Sequence, residues 1–216
     1  MKKAFVDLDG TLIDSRNRHI SILQEILEEF HIMDKSVDNF VQYKSEGVST
    51  QNYLENELQI EPAIAEEISL RWMESIELDR VIDKDIWYED VTDFLTFLKK
   101  SKYWVVVVSA RKNRNGILKF IEKSKYVNLL DEIIIVSPVN AKENKKNYIL
   151  RNLADANIVI GDSEADYVED IHIRNFLLNR GFRSENYWKK RKIMSYNSLY
   201  EIIFEIMQEN QLSYLP

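Results

Sequence analysis

The chain has 216 residues, of which 45% are hydrophobic and 30% are charged, so it can build at least one packed core and disorder is disfavoured. Lys and Arg total 29 against 36 Asp and Glu, and the resulting net charge of −7 disfavours general nucleic-acid binding, which needs a basic surface. The absence of cysteine excludes disulfides, thiolate metal sites and a cysteine nucleophile.

Membrane insertion and secretion are also disfavoured. The longest strongly apolar run, from Tyr103 to Val108, is far shorter than the roughly 20 residues that a membrane-spanning helix requires. At the N-terminus, Asp7 and Asp9 interrupt the apolar stretch, so no signal peptide is expected there. The expectation is a cytoplasmic protein without a membrane partner.

Short apolar runs that do not alternate with polar residues predict buried strands. In chain order they are Lys3 to Leu8, Trp104 to Val108, Ile133 to Val136, Asn157 to Ile160 and Asn175 to Leu178. Helical patterns lie between the later runs, each with its apolar residues on one stripe. This alternation predicts the α/β class, with a mainly parallel sheet covered by helices on both faces. A ligand would then bind at the carboxyl ends of the strands.

The stretch from about Ser15 to Asp85 contains no convincing strand and instead reads as several helices. One carries Ile20, Leu23 and Ile26, and Pro62 opens another. A loop after the first strand that grows into a helical module would lie over the strand ends. We therefore expect an all-helical cap at residues 15–85, inserted into a core formed by residues 1–14 and 86–216.

Two aspartates end the first predicted strand, in the sequence Asp7-Leu8-Asp9-Gly10-Thr11. Alternation along a strand places Asp7 and Asp9 on the same side, and Gly10 lets the backbone turn sharply. The alternative is a β-hairpin with Asp9-Gly10 as its turn. That alternative leaves Asp7 unexplained and expects a return strand where a helical pattern soon begins.

The fourth strand also ends in acidic residues, with Gly161-Asp162 followed by Asp166. Helix capping could account for these side chains, and for Asp166 it would suffice. If the first and fourth strands are neighbours, however, Asp7, Asp9 and Asp162 converge and repel unless a cation joins them. Oxygen ligands without His or Cys favour a hard ion, and Mg²⁺ is the usual choice beside a phosphate.

Other polar residues gain meaning only from their positions. Ser109 follows the second strand, where it could cap a helix or bind a phosphate. Lysines 142, 145 and 146 precede the helix before the fourth strand, and a charged run there is most often solvated. The three histidines follow no catalytic spacing, so structural roles are expected. Glycine-rich phosphate loops are absent, which leaves NAD and P-loop chemistry unsupported.

Taken in order, Asp7-x-Asp9-Gly10-Thr11, Ser109, a lysine near 146 and Gly161-Asp162-x-x-x-Asp166 resemble the four motifs of the haloacid dehalogenase superfamily. The similarity is to its phosphatase branch, because the dehalogenases do not require the second aspartate. The resemblance implies a Rossmann-like sheet and Mg²⁺, and the helical insertion is similar by position to the C1 type of cap. The Lys-Pro dipeptide common around the third motif is missing, so the three lysines compete, and helical spacing favours Lys146.

The resemblance also implies a role for each residue. Asp7 would attack phosphorus, and Asp9 would protonate the leaving oxygen and then activate water. The metal would be held by the Asp7 side chain, the Asp9 carbonyl oxygen and Asp162, with Asp166 in support. Phosphate-binding roles would fall to Thr11, Ser109, the backbone at Ala110 and Lys146. Whether Arg111 touches the substrate stays open.

These features predict a Mg²⁺-dependent phosphatase that hydrolyses a small phosphorylated metabolite through an aspartyl-phosphate. A sugar phosphomutase of the same superfamily is the first alternative, since it shares the intermediate and the cap. The second is a capped scaffold that binds a metabolite or protein partner while its catalytic centre idles. Substrate identity and oligomeric state do not follow from the sequence.

Overall fold

The computed structural model describes residues 1–212, and the side chains of residues 1–208. Its strands are β1 (Lys2–Val6), β2 (Ile13–Asp14), β3 (Ile86–Trp87), β4 (Tyr103–Ala110), β5 (Glu132–Val136), β6 (Ala156–Gly161), β7 (Ile173–Leu178) and β8 (Ser195–Tyr196). Its helices are α1 (Arg16–Glu29), α2 (Phe40–Ser45), α3 (Thr50–Asn56), α4 (Pro62–Ser75), α5 (Asp79–Ile82), α6 (Val91–Lys100), α7 (Arg114–Glu122), α8 (Ala141–Arg151), α9 (Glu185–Lys190) and α10 (Leu199–Leu212). Among these, no helix is both long enough and apolar enough to cross a membrane.

Six strands form one sheet in the order β5-β4-β1-β6-β7-β8, and every neighbouring pair is parallel. Strand β1 lies at the centre, where Ala4 is in register with Val105 of β4 and Ile158 of β6. The predicted α/β fold with a parallel sheet is confirmed. Because β4, β1 and β6 are neighbours, the polar residues that follow them emerge at the same edge of the sheet.

Helices cover both faces of this sheet, as the uninterrupted apolar strands predicted. On one face, Ala4 belongs to a buried cluster with Phe94 of α6 and Ile202 of α10. On the other face, Phe5 belongs to a separate cluster with Ile149 of α8. Successive side chains of β1 therefore serve opposite cores, which leaves only the strand ends free for polar groups.

Helices α1 to α5 all lie between β2 and β3, and we call this segment the helical insertion. Its entry and exit are joined, because β2 and β3 pair antiparallel with Ile13 opposite Trp87. The insertion has a hydrophobic centre of its own that includes Leu23, Phe40 and Trp72. A segment with its own core fits a cap, although its assignment as a separate domain at residues 15–85 stays a prediction.

Candidate active site

The two acidic strand ends meet. Strands β1 and β6 lie side by side, and the Asp7 N–H donates to the Ile160 carbonyl oxygen at 2.8 Å. Asp7, Asp162 and Asp166 are all buried, and each offers a carboxylate oxygen within 4.8 Å of the others. We call these three residues the carboxylate cluster. The sequence analysis expected Asp7 and Asp162 to converge if their strands were neighbours, and β1 and β6 are neighbours.

Lys145 lies in the cluster, and Lys146 does not. The Lys145 ammonium donates to Asp7 at 2.7 Å and to Asp166 at 2.6 Å, and the side chain is buried. The sequence interpretation favoured Lys146, and the structure corrects it. Lys145 lies one helical turn before Ile149, which is buried against the sheet, so the two share the inward face of α8. Lys146 is rotated away from that face and is only half-buried.

Asp166 performs two tasks at once. Its Oδ2 accepts hydrogen bonds from the Ser163 N–H at 3.1 Å and the Ser163 hydroxyl at 2.7 Å, which caps a short 3₁₀ turn. Its Oδ1 accepts the bond from Lys145. The capping interpretation is correct, and capping holds the carboxylate in place beside Asp7. Its expected support of a metal stays a prediction.

The cluster carries more negative than positive charge. Burial and the neighbouring Asp166 raise the pKa of Asp7 well above its usual value, although Lys145 opposes the shift. Burial and Asp166 likewise raise the pKa of Asp162 to about 7. One lysine does not balance three carboxylates, so a divalent cation would relieve the repulsion. An all-oxygen donor set in this geometry fits Mg²⁺.

Two glycines permit the close packing around Asp162. Gly10 has a φ of +70°, in the left-handed region that favours glycine, and a Cβ there would overlap the Asp162 carboxylate. A Cβ at Gly181 would overlap the same carboxylate. The next residue, Phe182, donates its N–H to Asp162 Oδ2 at 2.8 Å. The sequence interpretation did not include the loop after β7, although one of the chain's five glycines, Gly181, lies there between Arg180 and Arg183.

Asp9 turns away from the carboxylate cluster and pairs with two arginines. Arg111 Nε donates to Asp9 Oδ2 at 2.8 Å, and Arg18 donates through Nη2 to Asp9 Oδ1, also at 2.8 Å. Burial alone would raise the pKa of Asp9, but Arg111 and Arg18 outweigh it and lower the pKa to about 2. Arg111, whose role the sequence left open, is thus bound to Asp9. The expected Asp9 carbonyl ligation of a metal stays a prediction.

Asp85 completes this group of charges. Arg18 Nε donates to Asp85 at 2.9 Å, and Arg111 approaches Asp85 at 3.4 Å. The partly exposed Asp9 and the fully buried Asp85 thus share two buried arginines. We call these four residues the arginine network. Its members come from the β1 end, the start of α1, the end of the helical insertion and the β4 end, so it ties the insertion to the sheet.

The two candidate hydroxyls occupy different environments. Both Ser109 Oγ and Thr11 Oγ1 are buried and have no hydrogen-bond partner within the described part of the chain. Ser109 and Ala110 line the cavity above the carboxylate cluster, so a bound oxyanion could satisfy Ser109. Thr11 does not line that cavity. Its placement therefore gives no support to the expected phosphate contact.

A cavity of about 310 Å³ opens above the carboxylate cluster, a size suited to a small molecule. Residues of the sheet edge and of the helical insertion line it together: Asp7, Asp9, His19, Lys44, Trp72, Ser109, Ala110, Ala141, Lys145, Asp162, Ser163, Ala165, Phe182 and Arg183. A larger cleft of about 520 Å³ lies beside Trp87 and Phe120. It contains neither the carboxylate cluster nor Lys145, so the smaller cavity is the better candidate.

The insertion contributes side chains to the cavity, among them His19, Lys44 and Trp72. His19, for which a structural role was expected, lies between the rings of Phe182 and Trp72, with centroids 4.6 and 5.3 Å away. Burial and Arg18 hold its pKa well below the usual value, so the ring is neutral at pH 7. Trp72 belongs to the buried core of the insertion and also lines the cavity.

Comparisons with known proteins agree with this architecture. Residues 5–172 match the family model of haloacid dehalogenase-like hydrolases. The chain belongs to the haloacid dehalogenase-like hydrolase family. A search of curated proteins gave no match.

Solved structures share the fold at low sequence identity. A protein from Clostridium acetobutylicum described as a predicted phosphatase is 20% identical with a TM-score of 0.71, over 96% of this chain and 98% of that one. A haloacid dehalogenase-like hydrolase from Streptococcus pneumoniae is 16% identical with a TM-score of 0.71, over 94% and 97%. A protein from Thermotoga maritima, provisionally named a beta-phosphoglucomutase, is 16% identical with a TM-score of 0.61, over 97% and 99%.

Proposed function

We propose that this haloacid dehalogenase-like hydrolase is a Mg²⁺-dependent phosphatase that hydrolyses a small phosphorylated metabolite through an aspartyl-phosphate on Asp7. The observation that carries the proposal is the carboxylate cluster with Lys145 at the floor of a cavity of about 310 Å³. Phosphoryl transfer requires alignment and positive charge on the equatorial oxygens more than it requires elaborate covalent chemistry. This site offers a nucleophile and a fixed cation side by side.

Asp7 is the proposed nucleophile because it lies at the end of the central strand and faces the cavity. Its backbone is fixed by the bond to Ile160, and Lys145 orients Oδ1, which leaves Oδ2 to attack phosphorus. Attack forms the Asp7–phosphorus bond and breaks the bond to the leaving oxygen. Mg²⁺ would be held by Asp7, the Asp9 carbonyl oxygen and Asp162, with Asp166 in support, and would supply charge that offsets the negative phosphoryl oxygens.

Three further groups of the chain contact the phosphoryl group in this proposal. Lys145 supplies a positive charge to its oxygens, and the unpartnered Ser109 hydroxyl donates a hydrogen bond to one of them. The backbone at Ala110 lines the same wall. A buried hydroxyl without a partner costs stability in the free protein, and a bound oxyanion would recover that cost.

Asp9 serves the proton transfers. Paired with Arg111 and Arg18, it is ionised at neutral pH, which is the form that removes a proton from attacking water. The arrangement described here therefore suits the second half-reaction, hydrolysis of the aspartyl-phosphate. Protonation of the leaving oxygen in the first half-reaction requires the Asp9 carboxyl to separate from Arg111.

The test is phosphate release from 4-nitrophenyl phosphate, with and without Mg²⁺. We expect activity that needs Mg²⁺, is removed by a chelator and is abolished in Asp7→Asn. Asp34→Asn is the matched control, because the Asp34 side chain is 79% exposed and lies outside the cavity. Full activity in Asp7→Asn would refute the assignment of the nucleophile, and binding of phosphorylated ligands without any turnover would favour an idle scaffold.

A sugar phosphomutase is the second candidate, favoured by the fold shared with the Thermotoga maritima protein. Both activities use the same intermediate, and they differ in whether water or a sugar hydroxyl accepts the phosphoryl group. Incubation with a sugar phosphate separates them. A mutase moves the phosphate to a different hydroxyl with little free phosphate, whereas the proposed phosphatase releases phosphate and free sugar.

A further inference from the structure

The cavity has a second positively charged region, on the side of the helical insertion. Lys44, at the end of α2, lines the cavity and is half-buried. Its ammonium lies 5.4 Å from the centre of the Trp72 ring and 3.5 Å from the Thr50 hydroxyl. No carboxylate of the described residues forms an ion pair with it. Buried lysines are normally paired, so an uncompensated ammonium in a cavity calls for an anion.

Arg183, from the loop after β7, approaches the same place from the core side. Its Nε donates to Glu164 at 3.1 Å, and its Nη1 donates to the carbonyl oxygens of Lys44 at 3.1 Å and Phe182 at 2.6 Å. Within the described residues Nη2 makes no hydrogen bond. The guanidinium is therefore anchored on one side beside Lys44 and keeps two donors free on the other.

The two cations are close enough to repel each other. Burial and the neighbouring Arg183 lower the pKa of Lys44 to about 8. An anion that contacts both side chains would remove this repulsion. Glu164 does not contact both side chains, because it accepts hydrogen bonds from Arg183 and from the Tyr187 hydroxyl.

We propose that Lys44 and Arg183 form a binding subsite for a second anionic group of the substrate. The inference rests on the proposed function and deepens it: the substrate is a short phosphate monoester whose far end carries a carboxylate or a second phosphate. The phosphate ester would lie on Asp7 and Lys145, at the floor of the same cavity.

Aromatic side chains line the space between the two charged regions. His19, Trp72 and Phe182 pack against one another, and the Trp72 Nε1 already donates to the His19 carbonyl oxygen at 3.0 Å. This wall offers mainly apolar surface to the middle of a ligand, with the His19 Nδ1, which has no hydrogen-bond partner among the described residues, as a polar atom. The charged far end is therefore the feature that separates a preferred substrate from other phosphate esters.

The experiment compares alkyl phosphates of equal length that end in a methyl group, a carboxylate, a second phosphate or an amine. We expect kcat/KM to be about 10- to 100-fold higher for an anionic end than for the methyl end, which is the range of one or two charge-assisted hydrogen bonds. Whichever of the carboxylate and the second phosphate is preferred identifies the anion. Equal kcat/KM for all four ends overturns the subsite.

Variants of Lys44 separate recognition from folding. We expect Lys44→Met to bring the preference ratio between anionic and methyl ends close to one, and Lys44→Arg to preserve the preference. Lys44→Glu should favour the amine end instead. Lys35→Met, another lysine of the insertion that does not line the cavity, is the matched control and should keep the parent ratio. A Lys44→Met variant that loses activity equally on all substrates shows a structural role and contradicts the proposal.

Failure of the proposed function can be distinguished from failure of the subsite. If the parent protein hydrolyses none of these esters, the phosphatase proposal fails, and calorimetric titration with the same compounds then tests the subsite alone. Tighter binding of an anionic end that disappears in Lys44→Met supports it, and equal affinity for methyl and anionic ends overturns it. Hydrolysis of all esters without discrimination refutes only the subsite.

Discussion

The arginine network makes a strong prediction about stability, because it is buried and joins both ends of the helical insertion to the sheet. The Arg18 side chain is 2% exposed and that of Asp85 is fully buried. Arg18 donates hydrogen bonds to Asp85, to Asp9 and to the Ile76 carbonyl oxygen. Arg18→Met removes all three and leaves Asp85 with only the 3.4 Å contact to Arg111.

Breaking a buried ion pair by removing one partner costs about 3–5 kcal/mol, because the remaining charge is left without compensation. For a chain of this size, 1 kcal/mol corresponds to about 2–4 °C in Tm, so we expect Arg18→Met to lower Tm by about 6–20 °C. Differential scanning calorimetry or thermal unfolding followed by circular dichroism measures this directly. The assay does not depend on any assumption about activity.

The pH dependence of this effect has a definite sign. Burial raises the pKa of Asp85 to about 6 even with Arg18 present, so the folded state binds this proton more tightly than the unfolded state. The contribution of Asp85 to the free energy of unfolding is therefore fully present below its unfolded pKa of 3.8 and is lost as pH rises through its folded pKa of about 6. Without Arg18 the folded pKa rises further. The gap in Tm between the parent and Arg18→Met should thus be wider at pH 8 than at pH 5.

Arg80→Met is the matched control, because Arg80 also lies in the insertion and donates to a carboxylate, Glu25, through both Nη1 and Nη2. Its side chain is 54% exposed, so its loss should leave Tm close to the parent value. The double variant Arg18→Met/Asp85→Asn should lose less free energy of unfolding than the two single variants lose together, since it removes both charges. Equal losses in Arg18→Met and Arg80→Met would refute the reasoning.

Three further predictions concern the candidate site. Lys145→Met should lower kcat/KM by at least about 100-fold and make the free energy of unfolding more dependent on Mg²⁺, because it leaves three buried carboxylates without a cation. Lys146→Met should resemble the parent in both activity and stability. Ser109→Ala should lower kcat/KM about 10-fold or more without loss of Tm, because the hydroxyl has no hydrogen-bond partner in the free protein. Thr11→Val should raise the free energy of unfolding by about 1 kcal/mol and leave turnover intact, because it removes a buried hydroxyl without a partner. A Ser109→Ala variant with parent activity would contradict the oxyanion contact. Because the pKa of Asp162 is raised to about 7, protons compete with the cation for this carboxylate below that pH. The Mg²⁺ concentration for half-maximal activation should therefore rise up to about tenfold per pH unit as pH falls below 7. An activating concentration that does not change between pH 5 and pH 7 would contradict this.

The central architecture could be predicted from the sequence because its signals are local. Apolar runs such as Trp104 to Val108 are too short and too β-branched for helices, and the structure has β4 (Tyr103–Ala110) there. Pro62 opens α4 as predicted, because proline suits the first helical turn. The two-residue strands β2, β3 and β8 were missed, since such short pairings leave no periodic pattern to detect.

The site was predictable only as far as strand ends determine it. Asp7 and Asp162 follow directly from the order of β1 and β6, and the sequence interpretation anticipated their convergence. The orientation of Asp9 was not predictable, because it depends on Arg18 and Arg111, which are 9 and 102 residues away along the chain. A correct helical phase would have identified Lys145, since Ile149 marks the buried face of α8 one turn later.

The most direct test of this account is a crystal structure of the protein soaked with Mn²⁺, with the cation located by its anomalous scattering. The account predicts one peak within about 2.5 Å of carboxylate oxygens of both Asp7 and Asp162, beside the Lys145 ammonium. The same peak should disappear in crystals of the Asp162→Asn variant. A structure that places the cation elsewhere, or that shows Asp7 and Asp162 without a shared cation at saturating Mn²⁺, would contradict the account.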